Sequence, residues 1–260
     1  MSNYEKLSIG ISAIAVIISI FTPIIQWAYR KWISSAKVKY YPTGQATLFF
    51  NQSGSYIRIN GVLESENKAV TIKKMQVTLI RKRDEQKLNL IWQYLISPVN
   101  QSLLGNYVQT TEAAHPFRVE ADSIACAFVE YGDPSNSSGI KIRKLCTDLQ
   151  PLIQKIFANN PYDEAIKTFT KTPEYIDAKN SLLSDFYWEI GKYIAVVSIE
   201  YDKRKTKVFS YEFDVSEQNS LILRQNIDES LIATVKNAYS IPLTFQASFV
   251  ELSESKNKPI

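Results

Sequence analysis

At 260 residues the chain is long enough for one large domain or two small ones. A content of 45% apolar and 22% charged residues excludes a disordered chain, because such a composition buries a core. Two cysteines, one histidine and eight glycines exclude a disulfide scaffold and argue against glycine-rich nucleotide loops and multi-histidine metal sites, and the dispersed net charge of +4 is too small for a nucleic-acid footprint.

Residues 1–6 read as a short N-terminal tail. From Leu7 to Tyr29 no side chain is charged, and a helix rising about 1.5 Å per residue over that length crosses a hydrocarbon core of about 30 Å. Residues 7–29 are therefore expected to form one transmembrane helix. Tyr4 at one end and Trp27, Tyr29 and Trp32 at the other stand where amphipathic rings settle among headgroups, with Arg30 and Lys31 completing the interfacial anchors. A buried core helix rarely needs more than about 14 apolar residues. A cleaved signal peptide is disfavoured by the nearly neutral first six residues, by an apolar run too long for one, and by the lack of a small-x-small cleavage site immediately before Gln26. Pro23 should loosen the last turns.

Within the span, Ser8, Ser12, Ala15 and Ser19 recur at four, three and four residues, which places them on one helix face. Small side chains there allow a second backbone to approach, so the face is a candidate helix–helix interface and a homo-oligomer is an open possibility. A lone anchor needs no such partner, and the two readings stand level.

Only Lys6 precedes the helix, whereas Arg30, Lys31, Lys37 and Lys39 follow it closely. The positive-inside bias then puts the N-terminus outside and the C-terminal bulk in the cytoplasm, as a single-pass protein of the cell (inner) membrane. Cys126 and Cys146 form no motif and suit a reducing compartment. Asn-x-Ser sequons at Asn51, Asn100 and Asn136 carry little weight in an Asn- and Ser-rich chain.

Residues 30–45 are expected to be a basic juxtamembrane linker, leading to a domain over 46–250. Period-two alternation appears at Ile57, Ile59 and Leu63, at Val70 and Ile72, at Met75, Val77 and Leu79, and at Leu88, Leu90, Trp92 and Tyr94. The charged turn Arg81 to Gln86 marks a hairpin. Ile124 to Tyr131 reads as one further strand. Leu145, Leu149, Leu152, Ile153 and Ile156 then recur at helical spacing, with Pro151 dividing that helix or starting its second half. Thr172, Pro173 and Glu174 supply a cap, a first-turn proline and a first-turn acid. A helical insertion is thus expected at 142–187. A second hairpin spans Tyr193 to Val215, Gln225 to Asn237 is ambiguous, Leu243 to Phe249 reads as a last strand, and 251–260 as a flexible tail. Short strands with intervening turns and no βαβ rhythm give a mainly β class, expected as an antiparallel immunoglobulin-like β-sandwich.

Chemistry is thin. His115 stands alone at a strand entrance, Cys126 reads as core, and the carboxylates Glu120, Asp122, Asp228 and Glu229 read as surface charges without partner motifs. No Gly-x-Ser-x-Gly, His-Glu-x-x-His, Cys-x-x-Cys or Walker loop occurs. No cofactor, metal site or enzymatic activity is expected. Two basic turns, Arg81, Lys82 and Arg83, and Lys203, Arg204, Lys205 with Lys207, are candidate contacts for phosphates or an anionic leaflet. The competing reading, solvated hairpin tips that discourage edge pairing, is favoured. The sequence is thus read as a membrane-anchored, non-enzymatic binding or scaffold protein whose cytoplasmic domain recruits a protein partner. The alternative is a membrane effector of the bacterial stress or defence type, which oligomerises through its helix and perturbs the bilayer.

Overall fold

The computed structural model describes residues 3–29, 35–103, 106–158, 160–202 and 205–255. Helix α1, Asn3–Ala28, runs through Pro23 without ending there. The strands that follow are β1 (Lys37–Asn51), β2 (Gly54–Glu66), β3 (Val70–Arg81), β4 (Lys87–Leu103), β5 (Asn106–Ala113), β6 (Phe117–Val119), β7 (Ser123–Cys126) and β8 (Val129–Gly132). Helices α2 (Ser137–Phe157), α3 (Tyr162–Phe169) and α4 (Pro173–Ser184) lead to the hairpin β9 (Gly191–Tyr201) and β10 (Lys205–Val215). Helix α5 (Glu217–Ala238) and the short strands β11 (Ser248–Glu251) and β12 (Ser253–Glu254) complete the described chain.

All twelve strands belong to one antiparallel sheet, ordered β11-β1-β2-β8-β4-β3-β9-β10-β12, with β5 on β4, β6 on β3 and β7 on β2. The expected two-sheet immunoglobulin-like sandwich is not found. The reason lies at the two ends of that order. β11 and β12 are separated only by Leu252, yet β11 pairs with β1 while β12 pairs with β10. One short segment therefore holds both outer strands, and the sheet curls into a nearly closed barrel instead of splitting into two layers.

Alternation explains the core. Val38, Tyr40, Leu48, Ile57, Ile59, Leu63, Met75, Val77 and Leu79 all point inward and are buried. One expectation holds across a bulge and one shifts at a bulge. On β3 the register slips between Ile72 and Lys74, so Lys73 and Lys74 are both exposed and the inward set restarts at Met75, as the expected grouping has it. On β4 a slip between Trp92 and Tyr94 turns Tyr94 outward.

The linker and tail boundaries are also corrected. β1 begins at Lys37, because Val38 and Tyr40 continue the inward alternation and a register shift at Pro42 absorbs the proline. Ile124 to Tyr131 is two strands, broken where Ala127 exchanges backbone bonds with Gly61. Pro151 lies within a continuous α2. The ambiguous 225–237 lies inside the 22-residue α5, capped by Ser216, whose side chain accepts from the Asn219 amide. The last strand starts only at Ser248, and the expected tail still pairs through Ser253 and Glu254.

The helices plug one end of the barrel. α5 packs on β1 and β11, and α2 packs on β2. Buried Trp188 donates its indole N–H to the Phe49 carbonyl at 2.8 Å, and buried Asn226 donates to Phe50 O at 2.9 Å and to Gln246 O at 2.7 Å. The Asn226 carbonyl accepts from the Gln246 amide at 2.9 Å, so one side chain replaces strand pairing for a segment with no ladder of its own. Thr172 caps α4 as its sequence implies, its hydroxyl accepting from the Tyr175 amide.

Candidate functional site

The residues singled out in the sequence fall in three places. The first is α1, whose stretch Gly10–Ala28 is long and apolar enough to cross a membrane and is not buried against the rest of the chain. Tyr4 is exposed near its start, and Trp27 and Tyr29 near its end. Arg30, Lys31 and Trp32 lie outside the described residues. Ser8 lies in α1, and Ser12, Ala15 and Ser19 are exposed. The Ser19 hydroxyl donates to Val16 O at 2.9 Å and that of Thr22 to Ile18 O at 2.6 Å, so both hydroxyls are satisfied within their own helix.

The second place is the β3–β4 turn, at the barrel end plugged by the helices. Arg81 is only 7% exposed. Its guanidinium donates to Asp84 at 2.7–3.1 Å, to the Gln86 side chain and to Tyr187 O at 3.2 Å, and lies 5.7 Å from the Tyr187 ring centre. The Arg81 hydrogen bonds hold the Asp84 carboxyl down to about 2. Lys82 bonds Glu212 at 2.7 Å, and Arg83 reaches Glu189 at 3.3 Å. Every cation of this turn has a carboxylate partner. Arg81 is a fastener between sheet and helical cap, which its position in a charged turn concealed.

The third place is the β9–β10 turn, where Lys205 and Lys207 are exposed and Lys203 and Arg204 lie outside the described residues. The register separates the two turns. Arg81 is paired with Tyr193 and Ile72 with Tyr201, so the turns sit at opposite ends of the same strands. Nine residues at about 3.3 Å each put them about 30 Å apart.

The remaining candidates are positioned by packing. His115 is exposed, its Nδ1 3.0 Å from Ala113 O. Cys126 is exposed, contrary to expectation, because β7 turns it to the outer face; Cys146 is the buried thiol, and burial raises its pKa. Glu120 pairs with Arg118 at 2.9 Å, and Asp122 accepts from the Asn67 amide at 2.9 Å. Asp228 accepts from the Tyr175 hydroxyl at 2.6 Å. Glu229 is buried and not a surface charge: it accepts from Lys236 at 2.7–2.8 Å and from the Thr244 amide at 2.6 Å. Burial alone would raise its pKa, but these bonds to the charged form bring it below the ordinary glutamate value.

The outer face of the sheet carries an aromatic group around β1 and β2. Phe49 and Tyr56 stack with ring centres 4.6 Å apart, and the Arg58 guanidinium lies 5.1 Å from the Phe49 ring centre while pairing with Glu130 at 3.0 Å. Phe249 and Tyr94, in register with the same cross-strand row, are exposed. A shallow open depression of 480 Å³ lies across β3, β4, β9 and β10, lined by Thr78, Asn89, Val196 and Ser198 among others.

No family model matches the chain, and no curated protein matches it. Among solved structures, the chain is similar to a family 123 glycoside hydrolase from Clostridium perfringens, described in connection with glycolipid glycan hydrolysis. The identity is 10%, the TM-score 0.30, and the likeness covers 69% of this chain and 27% of that enzyme. The expectation that the chain is not an enzyme is withdrawn on this finding, since that neighbour is one; at this TM-score the likeness transfers no activity, substrate or catalytic residue. What the residues define is a mainly β, nearly barrel-shaped antiparallel domain with helices and one candidate membrane-spanning helix.

Proposed function

We propose that the protein is a single-pass membrane anchor whose barrel domain binds another protein and holds it at the membrane, with the domain on the cytoplasmic side. The observation that carries this reading is the unburied apolar stretch Gly10–Ala28 beside a well-packed domain. Such a helix finds no place in the core of its own chain and is accounted for by lipid. Four cations after the span against one before it support the cytoplasmic side and the inner membrane. The outer face with Phe49, Tyr56, Arg58 and Phe249 supplies the residue types enriched where proteins dock. Crosslinking of the full chain in native membranes, followed by purification, tests the reading. A stoichiometric protein partner is expected. Recovery of the chain in the soluble fraction, or from membranes with no partner, overturns it.

A further inference from the structure

We infer that the interior of the barrel binds water on the hydroxyls of Tyr40 and Tyr131, a buried polar site that does not depend on the reading of α1 as an anchor. Tyr40 projects inward from β1 and Tyr131 from β8, and they are 4% and 0% exposed. Neither hydroxyl has a hydrogen-bond partner among the described residues. Their neighbour Tyr211, from β10, differs: its hydroxyl donates to the Tyr40 carbonyl at 3.3 Å, and its ring centre lies 6.3 Å from that of Tyr40. Taking a hydroxyl out of water without giving it a partner costs free energy, so native interiors pair such groups with protein or with ordered water.

The local wall is built from small residues. Tyr40 lies across β2 where Gly61 has no side chain: its Cε2, Cζ and hydroxyl oxygen stand 2.6–2.8 Å from the point a Cβ of residue 61 would occupy. Gly61 exchanges backbone bonds with fully buried Ala127, so the wall beside it carries only a methyl group. Ala127, Val129 and Tyr131 then follow one another on the inward face. Burial pushes the Tyr40, Tyr131 and Tyr211 hydroxyls up, and the nearness of Tyr40 and Tyr211 pushes Tyr131 further, which keeps all three protonated. The charged residues buried among the described ones, Arg81 and Glu229, are committed elsewhere, to Asp84 and the Tyr187 carbonyl and to Lys236 and Thr244. Neutral hydroxyls that donate and accept, with no unpaired charge beside them, select an uncharged guest that does the same, which is water and not an ion.

The test compares the full chain in detergent with Tyr40→Phe and Tyr131→Phe, each of which removes one hydroxyl and keeps the ring. Magnetic relaxation dispersion of isotope-labelled solvent oxygen registers water held inside a protein and is blind to exchanging hydroxyl protons. A dispersion step is expected in the unaltered chain, reduced in each variant, and unchanged in Tyr175→Phe, whose hydroxyl bonds Asp228 directly at 2.6 Å. Thermal unfolding gives a check by sign. A buried hydroxyl bonded to water stabilises the fold, so both Phe variants should melt below the unaltered chain; a hydroxyl left without any partner destabilises it, and its removal would raise the midpoint. A step that survives in both variants, or midpoints that rise in both, overturns the inference.

Discussion

The amide of Leu252 donates to the carbonyl of Gly44 across 2.8 Å, joining the first barrel strand to the residue between the two last ones. On either side of Leu252 the chain turns to opposite partners, Val250 being paired with Ala46 and Ser253 with Glu212. Leu252→Pro removes the donated bond and should cost about 1 kcal/mol, with Leu252→Ala much milder at the backbone. Hydrogen exchange checks it: protection should fall along β1 and at the β12-paired part of β10, while β3 and β9 keep theirs.

Trp188 and its bond to Phe49 O fix the helical cap on the barrel. Trp188→Ala should destabilise the domain by about 3–5 kcal/mol, because a large buried ring is removed and a carbonyl loses its donor. Trp188→Phe keeps most of the volume and isolates the smaller contribution of the indole N–H. Urea unfolding of the two variants in detergent separates volume from hydrogen bonding.

The Glu229 carboxyl lies below its ordinary value of 4.5 in the folded chain. The Asp133 carboxyl likewise lies below 3.8: burial opposes this, but bonds donated by Ser135 and Ser137 prevail. A folded pKa below the unfolded one means stability that is present above the unfolded value and is lost as pH falls through the folded one. Urea midpoints should therefore hold from neutral pH down to the ordinary carboxylate range and then drop. In Glu229→Gln the acid-side drop should be shallower and stability at neutral pH lower.

Orientation rests on the cations after the span. A thiol placed at exposed Glu85 should resist an impermeant reagent in intact cells and react after lysis. Neutral substitution of Arg30, Lys31 and Lys37 should yield a mixed population. Free labelling of the otherwise unaltered chain would put the barrel outside.

The small-residue face of α1 separates a tether from an assembling helix. Ser12→Leu with Ala15→Leu adds bulk without lowering hydrophobicity, so insertion should persist while any helix pairing seen by crosslinking is lost. Ser12→Ala with Ser19→Ala should be nearly silent, since the Ser19 hydroxyl is already bonded within its own helix. Unchanged crosslinking in the leucine variant marks the helix as a tether alone.

Much of the strand content was legible because period-two burial leaves a direct trace, as at Ile57, Ile59 and Leu63, and the Thr172 cap announced α4 by local chemistry. Closure was not legible. Alternation tells which residues face inward but not which strands are neighbours, and a four-residue β11 followed by a two-residue β12 leaves almost no periodic signal. Helix α5 was obscured because its inward stripe includes Ser220, Asn226, Glu229 and Ser230, all buried. Each is polar in sequence; Asn226 and Glu229 become interior through the long-range partners Phe50 and Thr244, and the Ser230 hydroxyl by bonding Asn226 O within its own helix. Among the basic turns, composition alone made the two alike. Only the carboxylates brought in by β10 and the Tyr187–Glu189 segment distinguish them.

The segment that joins β11 and β12 also sets a timetable. A ribosome releases β1 early and Ser248–Glu254 late, so the outer edge of β1 waits for its partner while nearly all the rest of the domain is being made. Contacts between such distant parts of a chain form slowly, and an unclaimed strand edge is open to pairing with neighbouring nascent chains. On the proposed anchoring, α1 enters the membrane first and those neighbours are confined to the same plane, which raises their local concentration. Dependence on chaperones at the membrane surface during synthesis follows from this order of events.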